Sequence, residues 1–194
     1  MSAAAFLDRD GVLNELVPDP VTGRPESPLD PHDVELVPGA ADGALSLQRA
    51  GYLLIGVSNQ PAAAKGLVSL ERLESVQARV LELLAAQGVS FDAFEICHHH
   101  PDGVLPELTG ACECRKPAPG MLLAAATRLD VNLTESWMIG DTDTDVAAGQ
   151  AAGCHTLLIE HPGSAHKRTL SPAPELRAAN LQSAAALLIG PRSR

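Results

Sequence analysis

The sequence predicts an α/β fold, a parallel sheet with helices on both faces. Three observations predict it. Short, largely apolar runs at residues 3–7, 52–57, 137–140 and 156–159, with a strand-like segment at 91–96, suit buried strands. Segments with apolar residues at helical spacing lie between them. Polar clusters close several of the runs, and the carboxyl ends of parallel strands are where ligands bind in open α/β sheets.

Taken in order, the first run ends in Asp8-Arg9-Asp10-Gly11. A stretch at 14–38 follows, carrying Pro18, Pro20, Pro25, Pro28, Pro31 and Gly23, and is expected to be a loop or flap beside the first strand. Residues 39–49 form a helix that Gly51 can stop. The second strand, 52–57, ends in Ser58-Asn59-Gln60. Ser69 can cap a helix running to about residue 87, with Glu71 and Glu74 near its positive end and Leu73, Val76, Val80 and Leu84 on one face. The third strand, 91–96, leads into an irregular stretch at 97–116. Pro119 suits the first turn of a helix over 120–129. The fourth strand, 137–140, ends at Asp141, and Asp143 is expected to cap a helix over 144–152 that Gly153 ends. The fifth strand, 156–159, is followed by a loop at 161–174 and a closing helix at 181–188.

The 194 residues predict a single domain over 1–194 with a full core. Aromatic residues are only 3% of the chain, so Ala, Leu and Val must build that core. The net charge of −10 argues against a nucleic-acid partner, which would call for a basic stripe, but leaves room for an anionic small substrate at a locally positive site. No apolar run approaches a membrane span or a signal peptide, so the expectation is a cytoplasmic, monomeric protein with no membrane partner.

Asp8 and Asp10 set two carboxylates at one strand end. Like charges about 4 Å apart repel by roughly 4 kcal/mol at an effective dielectric near 20, so such a site needs a cation. Asp141, Asp143 and Asp145 alternate like a calcium loop. That loop requires Gly at its sixth position and Glu at its twelfth, where this chain has Val146 and Ala152. Asp145 is expected to orient its loop or Lys116.

Cys97, His99, Cys112 and Cys114 offer three sulfurs and one imidazole, a closed tetrahedral set for a structural zinc ion. The residues between, 102–111, have no strong pattern of their own and need a staple. His98 could compete for the metal, and His100 is expected outside the ligand set.

Together, Asp8-x-Asp10-Gly11, Ser58-Asn59, Lys116 and Gly140-Asp141-x3-Asp145 resemble the four motifs of the haloacid dehalogenase-like phosphatases, over residues 4–160. The resemblance implies a Rossmann-like sheet and Mg²⁺-dependent phosphoryl transfer through an aspartyl-phosphate. Asp8 would be the nucleophile. Asp10 would be the general acid and base. Asp8, Asp141 and the carbonyl of Asp10 would hold Mg²⁺. Ser58, Asn59 and Lys116 would hold the phosphate.

Cys-x-His-His-Pro at 97–101 and Cys-x-Cys-Arg-Lys-Pro-x-Pro-Gly-Met at 112–121 narrow the likeness. They are similar to the zinc-containing histidinol-phosphate and heptose-bisphosphate phosphatases, which lack a large cap domain. Arg115 would then meet a second anionic group. The substrate implied first is D-glycero-D-manno-heptose 1,7-bisphosphate, attacked at its 7-phosphate. Histidinol phosphate is the alternative, and a zinc-stabilised binding module without turnover is the reading from another class. Three features depart from the family pattern: a longer loop after Asp10, Ala62-Ala63-Ala64-Lys65 after Gln60-Pro61, and Thr142 where the heptose enzymes often place Lys. Asn14, Glu15, Arg24 and Lys65 are further candidates to line the pocket.

Overall fold

In the computed structural model, which describes residues 1–168 and 173–190, the described residues form eight strands and five α-helices. They are β1 (Ala4–Leu7), β2 (Val17–Pro18), β3 (Pro25–Glu26), α1 (Ala40–Arg49), β4 (Leu53–Asn59), α2 (Leu70–Ala85), β5 (Ala93–Cys97), α3 (Gly120–Leu129), β6 (Trp137–Gly140), α4 (Asp143–Ala152), β7 (His155–Ile159), β8 (Leu176–Ala178) and α5 (Leu181–Ile189). Residues 169–172 of the expected loop, and 191–194 at the end of the expected domain, lie outside the described residues.

Six strands make one parallel sheet in the order β5-β4-β1-β6-β7-β8. The chain winds from β1 to one edge through β4 and β5, then returns to the other side of β1 through β6, β7 and β8. Strand direction around β1 therefore opens a crevice at the carboxyl ends of β1, β4 and β6, the usual ligand position for such sheets.

Alternation along the strands builds a core on each face. Ala5 and Leu7 of β1, with Trp137 and Ile139 of β6, face α1, α2 and α5 through Leu47, Val76, Val80, Leu84 and Leu181. Ala4 and Phe6, with Ile55, Val57 and Met138, face α3 and α4 through Met121, Leu122, Ala125 and Ala148. Every residue of β1 is fully buried, which explains why it reads as an apolar run rather than as an alternation. Among the described residues no helix is long and apolar enough to cross a membrane.

Several local readings shift. The proline-rich stretch holds a two-stranded antiparallel hairpin, β2–β3, and a 3-10 turn at Pro31–Asp33. Strand β4 extends through Ser58 and Asn59 because both pair with β5. Pro119 is the cap residue before α3 rather than part of its first turn. The cap of α4 is Thr142, not Asp143. Thr142 and Asp145 form a reciprocal capping box, so Asp143 becomes the first helical residue. The stretch after β7 contains a 3-10 turn at Pro162–Lys167. Strand β8 lies between the expected loop at 161–174 and the closing helix; its three residues are too few and too mixed to carry a periodic signal, and they add to β7 at the sheet edge.

Candidate active site

The carboxyl ends of β1, β4 and β6 surround a cleft of about 360 Å³. Asp8, Asp10, Ser58, Asn59, Arg115, Lys116 and Asp141 all line it, so every residue expected to act on phosphate or Mg²⁺ converges there. Asp8 follows β1 directly, and its backbone N–H donates to Ile139 of β6 at 2.9 Å. Asp141 follows β6 in the same way. Gly11 turns the chain with a positive φ of 81°, and a Cβ there would collide with the Asp141 carboxylate.

Lys116 is the cation at the centre. Its Nζ lies 2.9 Å from Asp8 Oδ1 and 2.6 Å from Asp145 Oδ1, and donates to the Val57 carbonyl at 2.8 Å. Its backbone is clamped by Asn59, whose Oδ1 accepts from Lys116 N and whose Nδ2 donates to Lys116 O, both at 3.0 Å. The Asn59 amide thus places Lys116 from the tip of β4. Burial alone would lower the ammonium's pKa, but Asp145 and Asp8 outweigh it and hold Lys116 charged.

The acids respond in opposite directions. Burial, then Asp145, push Asp8 up to about 7 against the pull of Lys116. Asp141 is raised well above the ordinary carboxylate value by burial, Asp8 and Asp145. Asp10 goes the other way. Burial pushes it up, but the Arg9 guanidinium and bonds from Asn14, Ser27 and Gln60 overcome this and lower it. Arg9 Nε and Nη2 sit 3.1 and 3.0 Å from Asp10 Oδ1, Asn14 Nδ2 2.9 Å from the same oxygen, and Ser27 Oγ 2.8 Å from Oδ2. Gln60 Nε2 donates to Oδ2 at 2.5 Å and to Ser58 Oγ at 2.9 Å. Two aspartates two residues apart therefore acquire different protonation behaviour from their surroundings: in the ion-free cleft Asp10 is held as carboxylate and Asp8 is not.

The donor set fits a hard divalent cation. Carboxylate oxygens of Asp8, Asp141 and Asp145 lie within 4.8 Å of one another. Asp141 Oδ1 is buried with no hydrogen-bond partner, while Ser164 Oγ donates to Oδ2. One oxygen of Asp141 is braced and the other left for an ion. Arg168 supports the loop from behind, donating through Nη1 to the carbonyls of Asp141 at 3.1 Å and His161 at 3.0 Å.

Beside the cleft, Cys97, His99, Cys112 and Cys114 bring their ligand atoms within 4.8 Å of one another. Cys97 ends β5, and the other three come from the stretch before α3. The Cys97–Cys112 and Cys112–Cys114 sulfurs are 3.7 and 3.5 Å apart, close to the roughly 3.7 Å edge of a tetrahedron with 2.3 Å Zn–S bonds. The Cys97–Cys114 edge, at 2.8 Å, is shorter and would open around an ion. His99 Nδ1 lies 3.5 Å from Cys114 Sγ. All four cysteines are free thiols, and the cluster is consistent with a structural zinc ion. His98 stands apart, its Nδ1 3.1 Å from the Gln60 carbonyl, so it does not compete. His100 accepts from the Asp102 N–H instead. Arg115, next after Cys114, donates to the His99 carbonyl at 3.3 Å, which ties the zinc loop to the cleft wall.

The HAD-hydrolase-like family model matches residues 113–184. A D-glycero-beta-D-manno-heptose-1,7-bisphosphate 7-phosphatase of Vibrio cholerae is 38% identical over 160 residues, 82% of each chain. The enzyme of the same name from Rhodopseudomonas palustris is 39% identical over 77% of this chain and 79% of its own. The chain belongs to the heptose-1,7-bisphosphate phosphatase family. A D,D-heptose 1,7-bisphosphate phosphatase structure from B. bronchiseptica, complexed with magnesium and phosphate, superposes with a TM-score of 0.81 at 28% identity, covering 96% of this chain and 98% of that one.

Within this phosphatase family frame, four of the site's supports carried no sequence signal. Arg9, buried at 0% exposure between the two aspartates, looked like an ordinary strand-end residue. Ser27 sits in the proline-rich flap, and Ser164 and Arg168 lie beyond β7; only the fold brings them in. Gln60 was visible only as part of the polar cluster after Asn59. Of the further pocket candidates, Lys65 lines the cleft. Asn14 is buried under Asp10, Glu15 pairs with His161 Nε2 at 2.8 Å, and Arg24 is exposed on the hairpin. These three are absent from the lining, Asn14 and Glu15 through those contacts and Arg24 through its place between β2 and β3.

Proposed function

We propose that the protein is a phosphatase that removes the 7-phosphate of D-glycero-D-manno-heptose 1,7-bisphosphate. The observation that carries this reading is the Asp8–Lys116–Asp145 arrangement beside Asp10, in a cleft whose rim bears Arg115 and Lys65. The relatives' names supply the sugar bisphosphate.

In this reading an Asp8 oxygen attacks phosphorus and the bond to the sugar O7 breaks. Asp10, ionised in the free cleft, would take up a proton in the substrate complex, where the phosphate adds negative charge beside it, and give that proton to the leaving oxygen. The products are the sugar 1-phosphate and an aspartyl-phosphate on Asp8. Water then attacks phosphorus as Asp10 takes its proton, the bond to Asp8 breaks, and inorganic phosphate leaves. Asp8, Asp141 and the Asp10 carbonyl would hold Mg²⁺, whose charge offsets that of the phosphate in a reaction governed mainly by electrostatics and positioning. Ser58 and Lys116 would hold the transferred group, with Asn59 fixing Lys116, and Arg115 would meet the distal phosphate. Cys97, His99, Cys112 and Cys114 would hold zinc as a fastening for the segment that presents Arg115 and Lys116. The reading takes the chain to act in the cytoplasm as one monomeric domain over 1–194.

The test is phosphate release with Mg²⁺ from both anomers of the heptose bisphosphate, side by side with histidinol phosphate. Hydrolysis of the bisphosphate at a higher kcat/KM supports the reading. Preference for histidinol phosphate would replace the substrate, and zinc binding without any phosphate release would replace the class.

A further inference from the structure

Among the described residues four cations line the cleft: Lys116, Arg115, Lys65 and Lys167. Lys116 is held by Asp8 and Asp145. Arg115 and Lys65 stand near each other on the zinc-loop side, both close enough to His100 to hold its imidazole pKa below the usual value, after burial. The fourth, Lys167, comes from a different segment, the end of the 3-10 turn Pro162–Lys167. Its Nζ pairs with Glu26 Oε2 at 2.9 Å, and both residues line the cleft. Glu26 ends β3, one residue before the Ser27 that bonds Asp10.

The turn is anchored at its middle. Ser164 is fully buried against Asp141, and Lys167 stands one 3-10 turn further on, about 6 Å along the axis. A dianion reacting at Asp8 shares the cleft with Arg115 and Lys65 and also with this pair of one cation and one carboxylate. The carboxylate would repel a second phosphate if it stood alone. The Lys167 side chain keeps 32% exposure and that of Glu26 keeps 48%, so their pairing is screened, weak and easily exchanged. A flexible lysine stem lets the ammonium move from carboxylate to phosphate without the turn moving.

We propose that Lys167 is a specificity-determining residue that joins Arg115 in binding the second anionic group of the substrate, and that Glu26 holds it at the wall until that group takes it over. This rests on the bisphosphate reading above and adds a residue and an exchange to it. The site would favour sugar bisphosphates over monoesters that carry no second anion.

The experiment compares the heptose bisphosphate with p-nitrophenyl phosphate in wild type, Lys167→Gln, Lys167→Arg and Glu26→Gln. For Lys167→Gln the ratio of kcat/KM for bisphosphate to that for p-nitrophenyl phosphate should fall about tenfold, mostly through KM, the size expected for one charge-assisted contact. Lys167→Arg should restore most of the ratio. Glu26→Gln should lower KM for the bisphosphate, since the lysine no longer has to be released. Equal losses on both substrates, no loss on either, or a rise in bisphosphate KM for Glu26→Gln would overturn the assignment alone. Wild type that cleaves p-nitrophenyl phosphate but not the bisphosphate would overturn the functional reading and this assignment together.

Discussion

The ammonium of Lys116 sits 2.9 Å from the carboxylate of Asp8, and at 2% exposure it is sealed among three aspartates that would otherwise repel one another. Removing one partner of a buried pair leaves an uncompensated charge, which typically costs about 3–5 kcal/mol. Lys116→Met should therefore lower the urea unfolding free energy by about that amount and reduce kcat at least about 100-fold. Lys116→Met combined with Asp145→Asn should recover part of the stability and none of the activity. Full activity in either variant would show that the ammonium is not part of the reaction.

Asp8→Asn tests the nucleophile. Turnover should fall below detection, and no acid-stable, hydroxylamine-sensitive phosphoenzyme should form. Stability should move the other way in metal-free protein. Asp8 has a folded pKa of about 7 against an ordinary 3.8, so its contribution is complete below 3.8 and lost as pH rises through 7. Asn has no proton to lose, so in EDTA the variant should melt above wild type at pH 8 and match it near pH 4. A variant that melts below wild type at pH 8 would contradict this balance.

The same shift predicts how Mg²⁺ binds. Below pH 7 the metal-free cleft keeps a proton on Asp8 that the ion must displace, and the raised pKa of Asp141 acts in the same direction. Mg²⁺ affinity should climb as pH rises through 7, and binding at pH 6 should release protons. Calorimetry at pH 6 in two buffers of different ionisation enthalpy measures this release directly; identical heats in both would rule it out.

Zinc removal should act at a distance. About one zinc per chain is expected in wild type, and Cys112→Ser should lose it. Because Arg115 Nη1 bonds the His99 carbonyl, slackening the loop should raise KM for the bisphosphate and make the 97–114 segment sensitive to protease. Metal analysis with limited proteolysis checks both, and unchanged zinc content in Cys112→Ser would refute the ligand set.

What could be read from the residues, and what could not, follows from how far each contact reaches along the chain. Asp8 and Asp141 were legible because each directly follows a fully buried apolar strand, and Asp10 because it stands two residues after Asp8, so the edge of the sheet gathers them. The zinc set was legible because three of its four ligands fall within eighteen residues of the first. The clamp of Asn59 on Lys116 spans 57 residues, and the bond from Ser164 to Asp141 joins a strand end to a turn with no periodicity. Neither leaves a local trace. The hairpin β2–β3 was hidden for a related reason: two paired residues per strand are too short for an alternation to show.

Asp145 serves two masters. One carboxylate oxygen, Oδ2, receives the Thr142 backbone N–H at 3.0 Å and its hydroxyl at 2.6 Å, starting helix α4; the other, Oδ1, faces Lys116. Asparagine at this position would keep the start of the helix and discard the counter-charge, and glutamate would carry the charge one methylene too far to close the turn. The architecture and the electrical neutrality of the cleft thus share a single side chain, and neither can be retuned there without disturbing the other.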